Sequence, residues 1–518
     1  MTATFYRPAA LLAAAILTQA CTAQAPMPGA AGTTRLEVVA APGLLAAPAD
    51  GRLFVVLGKE ASPEPRLSIG RTGLDRPPVI ARDVTAFDGT TPAALDATAI
   101  AFPVDSLADV PDGEYVAQAL FDTNIDLKSV NAPGNLYSAP TPVTIDHAAG
   151  GAVRLELTAR VPDEELPPAT DYLRFVKIQS EKLTAFYGRP IYLRAGVILP
   201  RGWADNPGRT YPLRVRIGGY GASYTRVQRM MAEDAPFRKA WLADDAPRFI
   251  LLHLDGDGPL GDPYQVNSDN HGPYGDAVTG ELIPAVEREF RGVGEPSARV
   301  LDGGSTGGWV SLALQVFYPD FFNGTWSSCP DGVDFRGFQL VNIYENENAY
   351  VNEHGFEMPS ARDVDGDVRF TMRHEVQMEN VLGRGDSWTM SGGQWGAWNA
   401  TYGPRGEDGR PVPLWDPKTG VIDRSVTGHW KRYDLRMYLE EHWAELAPKL
   451  RGKIRVFSGE ADNYFLNNAA HMLDDFFAQA TPPYGGRIVF APGEGHCWVG
   501  MDDLSMMKEM GRVTGARP

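Results

Sequence analysis

Ala298-Arg-Val-Leu-Asp-Gly-Gly-Ser-Thr-Gly-Gly-Trp309 compresses a strand, a sharp corner and the start of a helix into one short run. Val300 and Leu301 have the apolar character of a buried parallel strand, and Trp309-Val-Ser-Leu-Ala-Leu-Gln-Val-Phe317 has helical spacing. Between them Gly303-Gly-Ser-Thr-Gly307 fits G-x-S-x-G, with Ser305 at the corner. Glycine is needed there because a nucleophile on a strained turn brings neighbouring backbone too close for a Cβ. Gly308 then lets the helix pack tightly. An ordinary Gly-rich strand-to-helix loop has the same five residues; the strand before and the helix after favour a nucleophile at Ser305.

A serine hydroxyl is a poor nucleophile at neutral pH and needs a base within hydrogen-bond reach, itself oriented by a third group. The chain order that suits this corner is Ser, acid, His. Of nine histidines, only His471 and His496 follow the predicted strand Lys453–Phe457. His471 falls inside a predicted helix, whereas His496 sits in the loop Gly493-Glu-Gly-His-Cys497 after the last strand, so His496 is the expected base. Asp462 is the expected acid, because Gly459-Glu-Ala-Asp462 turns the carboxylate back over a strand end; Glu460 and Asp331 are alternatives. The oxyanion of a tetrahedral intermediate needs two donors. The backbone N–H of Thr306 supplies one. The N–H of Tyr220, in Gly218-Gly-Tyr-Gly221 after an early strand, is expected to supply the other, although a plain Gly turn reads the same way.

Around this corner strands alternate with helices, which implies a mostly parallel sheet over residues 170–518. Tyr192–Leu199, Pro212–Ile217, Phe249–Leu254, Gly324–Ser328 and Arg487–Ala491 are predicted strands, and Gly275–Phe290 is a predicted amphipathic helix. Residues 332–450 break the alternation and are too long for a plain connection, so they are expected to fold as an insertion. Six of the eleven tryptophans fall there: Trp388, Trp395, Trp398, Trp415, Trp430 and Trp443. They form either a lid or aromatic binding wall, or a small core of the insertion itself. Trp395 and Trp398, together with Trp309 beside the corner, are the candidates for substrate contact. Asp363-Val-Asp-Gly-Asp367 fails the spacing of a calcium loop, since Val368 stands where Gly is required, and no set of His, Cys and Asp has zinc-like spacing.

Residues 34–160 read differently. Short alternating runs such as Arg52–Leu57, Glu114–Leu120, Pro142–Ile145 and Val153–Leu157 are separated by Pro, Gly, Asp and Asn, which predicts an all-β sandwich of immunoglobulin-like size. It carries no catalytic cluster, which favours a structural or docking module over carbohydrate binding. A Pro-rich acidic linker, Val161–Ala169, joins it to the parallel-sheet region.

The chain has 518 residues, more than one core usually serves, and a composition of globular type with 43% hydrophobic and 22% charged residues. Its net charge of -17 would repel a polyanion, which argues against nucleic acid as a partner. Residues 1–25 read as a secretory signal and flexible leader: Arg7, the apolar run Leu11–Leu17, then Cys21 or Ala25 as processing points. Processing at Cys21 would make a periplasmic or outer-membrane lipoprotein, anchored to the membrane only there; cleavage after Ala25 would free a soluble exported protein. Outside the cytoplasm a disulfide becomes permissible. Cys329 and Cys497 remain for it, and two reduced thiols are the alternative.

Asn270-His-Gly-Pro-Tyr-Gly-Asp-Ala277 with Glu281–Pro284, Gly303–Gly308, Gly459–Asp462 and Gly495-His496 together resemble the putative esterase group of the α/β-hydrolase superfamily, which includes esterase D and enterochelin and feruloyl esterase-like proteins. The resemblance runs from about Leu193 to the C-terminus, interrupted by the insertion. It implies serine hydrolysis of a small-molecule or glycan ester through an acyl-enzyme, without a cofactor. Two departures stand out. Gly304 occupies the position of the cysteine that precedes the nucleophile in feruloyl esterases and tannases, and Gly218 replaces the histidine of the His-Gly oxyanion loop. The same triad also serves peptidases and acyltransferases, and a glycan-binding lipoprotein with the fold as scaffold is the reading from another class.

Overall fold

The computed structural model describes residues 34–71 and 73–518. The signal segment and Cys21 lie outside the described residues.

Residues from Leu173 onward build an eight-stranded sheet: β1 (Leu173–Gln179), β2 (Tyr192–Ile198), β3 (Leu213–Ile217), β4 (Ile250–Leu254), β5 (Arg299–Gly304), β6 (Thr325–Ser328), β7 (Ile454–Gly459) and β8 (Arg487–Ala491). Their spatial order is β1-β2-β4-β3-β5-β6-β7-β8. The pairs β1/β2 and β2/β4 are antiparallel; every pair from β4 to β8 is parallel. This is the expected α/β-hydrolase architecture, with one strand more than the sequence predicted. β1 was hidden because an edge strand is only half-buried: Leu173 and Val176 alone are buried, and their spacing does not alternate.

Seven helices matter for the site: α1 (Ile283–Phe290), α2 (Thr306–Phe317), α3 (Met372–Leu382), α4 (Gln394–Tyr402), α5 (Leu435–Leu450), α6 (Asn467–Gln479) and α7 (Asp503–Thr514). The single helix predicted over 275–290 is instead interrupted by a wide π turn at Val278–Leu282. Pro284 has no N–H to donate to the preceding turn, so the ladder cannot run through it unbroken.

The segment between β6 and β7, residues 329–453, carries α3, α4 and α5 and a two-stranded hairpin, Pro359–Arg362 with Val368–Thr371. It has no separate core. Its tryptophans join the same hydrophobic cluster as Leu301, Val310 and Val456 of the sheet layer. Trp388 stacks on Trp415 at 4.7 Å, and Trp395 meets Trp398 edge-on at 4.6 Å.

The N-terminal strands form one continuous nine-stranded sheet. Residues from both ends of its path, Leu36 and Leu95 at one and Ile80 and Ala101 at the other, share one hydrophobic cluster, so the sheet folds over its own core. Its other face is apolar too: Phe54, Val56, Val79, Ala81, Phe102 and Leu120 pack with Met378 and Val381 of α3. The fully buried Arg52 donates to the carbonyls of Asn380 and Val381 at the end of that helix, at 3.2 and 2.8 Å, which satisfies acceptors a helix C-terminus leaves open.

Candidate active site

Parallel strands all point their C-terminal ends to one edge, and β5, β6, β7 and β8 deliver Ser305, Asp331, Asp462 and His496 there, each from the loop that follows its strand. Ser305 has φ 60° and ψ -126°, a conformation that L residues rarely adopt and that marks a strained corner. The glycines make the corner possible. A Cβ at Gly303 would run into the backbone of Gly307, one at Gly307 into the carbonyls of Ile217 and Gly218, and one at Gly308 into the carbonyl of Ser328.

His496 Nε2 lies 3.0 Å from Ser305 Oγ, and His496 Nδ1 lies 2.8 Å from Asp462 Oδ2. A carboxylate accepts, so Nδ1 carries the proton and Nε2 is free to accept the serine proton. Asp462 has no exposed surface; its Oδ1 takes the backbone N–H groups of Tyr464 (2.8 Å) and Leu466 (3.2 Å), which fixes the carboxylate plane. Asn463 Oδ1 accepts the backbone N–H of His496 at 2.9 Å, and the Tyr464 ring stands edge-on to the imidazole at 4.9 Å. The structure therefore joins Ser305, His496 and Asp462 into one relay. Glu460 is turned away to His471, 2.9 Å from it. Asp331 approaches the serine rather than the histidine.

The Gly218–Gly221 loop lies over the corner: a Cβ at Gly219 would stand 3.7 Å from both the Gly304 carbonyl and Ser305 Cβ. Tyr220 is partly exposed, and its hydroxyl donates to the carbonyl of Gly392. Cys329 and Cys497 form a disulfide with Cα atoms 5.0 Å apart, and Cys329 Sγ also accepts the Ser305 N–H at 3.1 Å. This bond ties the His496 loop to the strand beside the nucleophile.

Two cavities open on Ser305 and His496. One, of about 390 Å³, is lined by Asp331, Glu375, Met378, Gln394, Trp398 and Tyr464, with Arg71 and Arg76 of the N-terminal domain also in its wall. The other, of about 690 Å³, runs along Gly218–Tyr220 past Arg226 and His253 toward α7. Of the three tryptophans expected to contact substrate, only Trp398 lines a cavity beside the serine. Trp309 points into the core beneath α2, where it packs on Tyr264 and Tyr402, and has no exposed surface. Trp395 is equally buried, with its indole N–H donated to Glu375 at 3.0 Å. Both serve packing, because each faces the layer between sheet and insertion rather than the strand ends.

Sequence reading missed Glu375, Glu379 and Arg362 around these cavities, and weighed Asp331 only as an alternative acid. Burial pushes the carboxyls of Asp331, Glu375 and Glu379 up, Glu379 to about 8, where the neighbouring Glu375 adds to the effect. Arg362 of the insertion hairpin donates to the Asp462 carbonyl at 3.0 Å and stacks over Phe465 at 4.5 Å, bracing the acid loop from outside. In Asp363–Asp367, where a calcium loop fails on spacing, Asp363 is held by Arg369.

No protein-family model and no curated protein matches this chain. Among solved structures, a ferulic acid esterase shares 13% identity with a TM-score of 0.38, over 66% of this chain and 98% of that one. An S-formylglutathione hydrolase from Agrobacterium tumefaciens shares 12% with a TM-score of 0.37, over 67% and 95%. The fluorophosphonate-binding serine hydrolase FphF of Staphylococcus aureus shares 12% with a TM-score of 0.37, over 66% and 98%. These likenesses are remote.

Proposed function

We propose that this protein is a serine hydrolase that cleaves a carboxylic ester through an acyl-enzyme. The observation that carries the reading is the unbroken relay Asp462–His496–Ser305, at 2.8 and 3.0 Å, on a strained corner. His496 takes the serine proton as Oγ attacks the carbonyl carbon, then returns it to the departing alcohol; water repeats the sequence to release the acid. The backbone N–H groups of Thr306 and Tyr220 receive the oxyanion, each such donor contributing about 3 kcal/mol. No step requires a cofactor. The intact relay also counts against a non-catalytic glycan-binding scaffold.

We read the substrate as a small-molecule or glycan ester, and the protein as exported, either lipid-anchored at Cys21 or released in soluble form. The Cys329–Cys497 disulfide beside the site supports an oxidising compartment. The N-terminal module, an immunoglobulin-like sandwich in this reading, is structural: it backs α3 and contributes to the cavity wall.

The test is labelling of the purified protein with a fluorophosphonate probe, comparing wild type with Ser305→Ala. Labelling lost in the variant establishes an activated serine at this corner. A folded wild type that neither labels nor hydrolyses any simple ester would overturn the reading.

A further inference from the structure

The relay leaves one buried carboxyl beside the nucleophile unused. Asp331 is 2% exposed and presents its two oxygens very differently. Oδ2 accepts from the Tyr264 hydroxyl at 2.7 Å, the Thr306 hydroxyl at 3.0 Å and the Trp398 indole N–H at 3.1 Å. The partner within reach of Oδ1 is Ser305 Oγ, at 3.5 Å. That hydroxyl has a single proton, and His496 Nε2 at 3.0 Å takes it. Oδ1 is thus an acceptor with no donor, facing the 390 Å³ cavity that opens on the serine.

Its position relative to the reacting atoms limits what can fill it. Once an acyl group is bonded to Oγ, a heteroatom on the carbon next to the carbonyl lies three bonds away, with bonds of about 1.5 Å. That places it roughly 3 to 3.5 Å from Oγ, so a heteroatom on the Asp331 side of the ester comes within hydrogen-bond reach of Oδ1, which is itself 3.5 Å from Oγ. Met378 and Trp398 line the same cavity and give it apolar wall.

Resting on the hydrolase reading above, we propose that Asp331 is a specificity-determining residue: its Oδ1 accepts a hydrogen bond from a hydroxyl or ammonium group on the α-carbon of the acyl part. The preferred substrates are then esters of α-hydroxy or α-amino acids. The surroundings agree with this. Burial raises the Asp331 carboxyl while the Tyr264, Thr306 and Trp398 hydrogen bonds and His496 pull it down, so one more donor relieves the group. Besides His496, Tyr264, Tyr402, Tyr464 and Asp262 sense its charge, and none of these four is a cation. Glu375 adds a further carboxyl acceptor to the same cavity.

The experiment compares three aryl esters with one common phenol: propionate, 2-hydroxypropionate and alaninate. Wild type is expected to show kcat/KM at least tenfold higher for one or both substituted esters than for propionate, once each value is divided by that ester's own hydroxide-catalysed rate constant. The hydroxy and amino arms tell which donor Oδ1 takes. In Asp331→Asn the indole of Trp398 can only donate, so the amide oxygen must occupy the Oδ2 place and the NH2 group faces the cavity. A donor then replaces the acceptor, and the ratio is expected to collapse toward one; Asp331→Ala removes the group and should do the same. Equal wild-type rates on all three esters overturn the proposal. So does a preference that survives in Asp331→Asn enzyme that still labels with the fluorophosphonate. Failure of wild type to label or to hydrolyse any of the three sinks the hydrolase reading itself, and Asp331 falls with it. Where a variant does not fold, equal wild-type rates still overturn the proposal, and the other Asp331 variant assigns a preference to this residue.

Discussion

Replacing Asp462 by Asn tests the relay most sharply, because the structure dictates which way the amide must sit. Asp462 Oδ1 receives the N–H groups of Tyr464 and Leu466, so the amide oxygen must stay there and the NH2 group must face His496 Nδ1. An NH2 group only donates. Nδ1 is therefore forced to accept, the ring proton moves to Nε2, and Nε2 presents a hydrogen to Ser305 in place of a lone pair. Packing is preserved, since the exchange is isosteric at a site with no exposed surface. A histidine held in the wrong tautomer loses roughly 10⁴ in rate, which is about 5.5 kcal/mol of barrier. Steady-state hydrolysis of an activated aryl ester should show this loss in kcat, with fluorophosphonate labelling slowed in parallel. Thermal unfolding within a few degrees of wild type excludes a folding defect. A loss below tenfold would refute the reasoning and move the orienting acid elsewhere; Glu460→Gln, whose carboxylate serves His471, is the control expected to leave turnover intact.

Gly308→Ala places a Cβ against the Ser328 carbonyl and the Pro330 backbone, neither of which can retreat, so a destabilisation of about 1–3 kcal/mol together with lost labelling is expected from chemical denaturation and probe assays. Arg362→Ala removes a hydrogen bond to the Asp462 carbonyl and a stacked contact on Phe465; kcat should fall while KM holds, with an effect of about 1–2 kcal/mol that urea unfolding will show only in part. The buried Glu379 is raised from 4.5 to about 8, so the folded state holds a proton that the unfolded state has already released above pH 4.5. That stability is present below pH 4.5 and is lost as pH rises toward 8, and Asp255 and Asp262, each raised to about 7, act in the same direction. Melting temperatures recorded from pH 5 to pH 8 should decline, and Glu379→Gln should flatten the slope.

What was legible in the sequence was local or ordered along the chain. The elbow shows because three of its glycines, Gly303, Gly307 and Gly308, answer a clash with backbone nearby, and the acid and base show because parallel strands must deliver them in sequence order at one edge. What stayed hidden is contact between distant segments. Trp398 reaches Asp331 across 67 positions and Arg362 reaches Asp462 across 100, and nothing in either residue's neighbourhood announces the partner. The tryptophans misled for a related reason: an aromatic cluster has one composition whether it lines a cavity or fills a layer, and only the sheet's geometry distinguishes Trp398 from Trp395 and Trp309. β1 escaped because edge strands bury too little to pattern strongly. The wide turn before Pro284 was foreseeable from proline's missing donor, yet amphipathic spacing ran across it.

Helix α3 has two clients. Val381 packs into the apolar face of the N-terminal sheet, Glu375 and Glu379 stand at the wall of the cavity beside Ser305, and Met378 touches both. Modularity is therefore not a property of this chain, even though its N-terminal strands close their own core. Cutting in the Pro-rich linker would strip the cover from the helix that walls the 390 Å³ cavity and leave Asn380 and Val381 without the guanidinium that closes their carbonyls. Sequence change in the β domain, far along the chain from every reacting atom, is thus a route by which substrate preference can drift without any change in the triad.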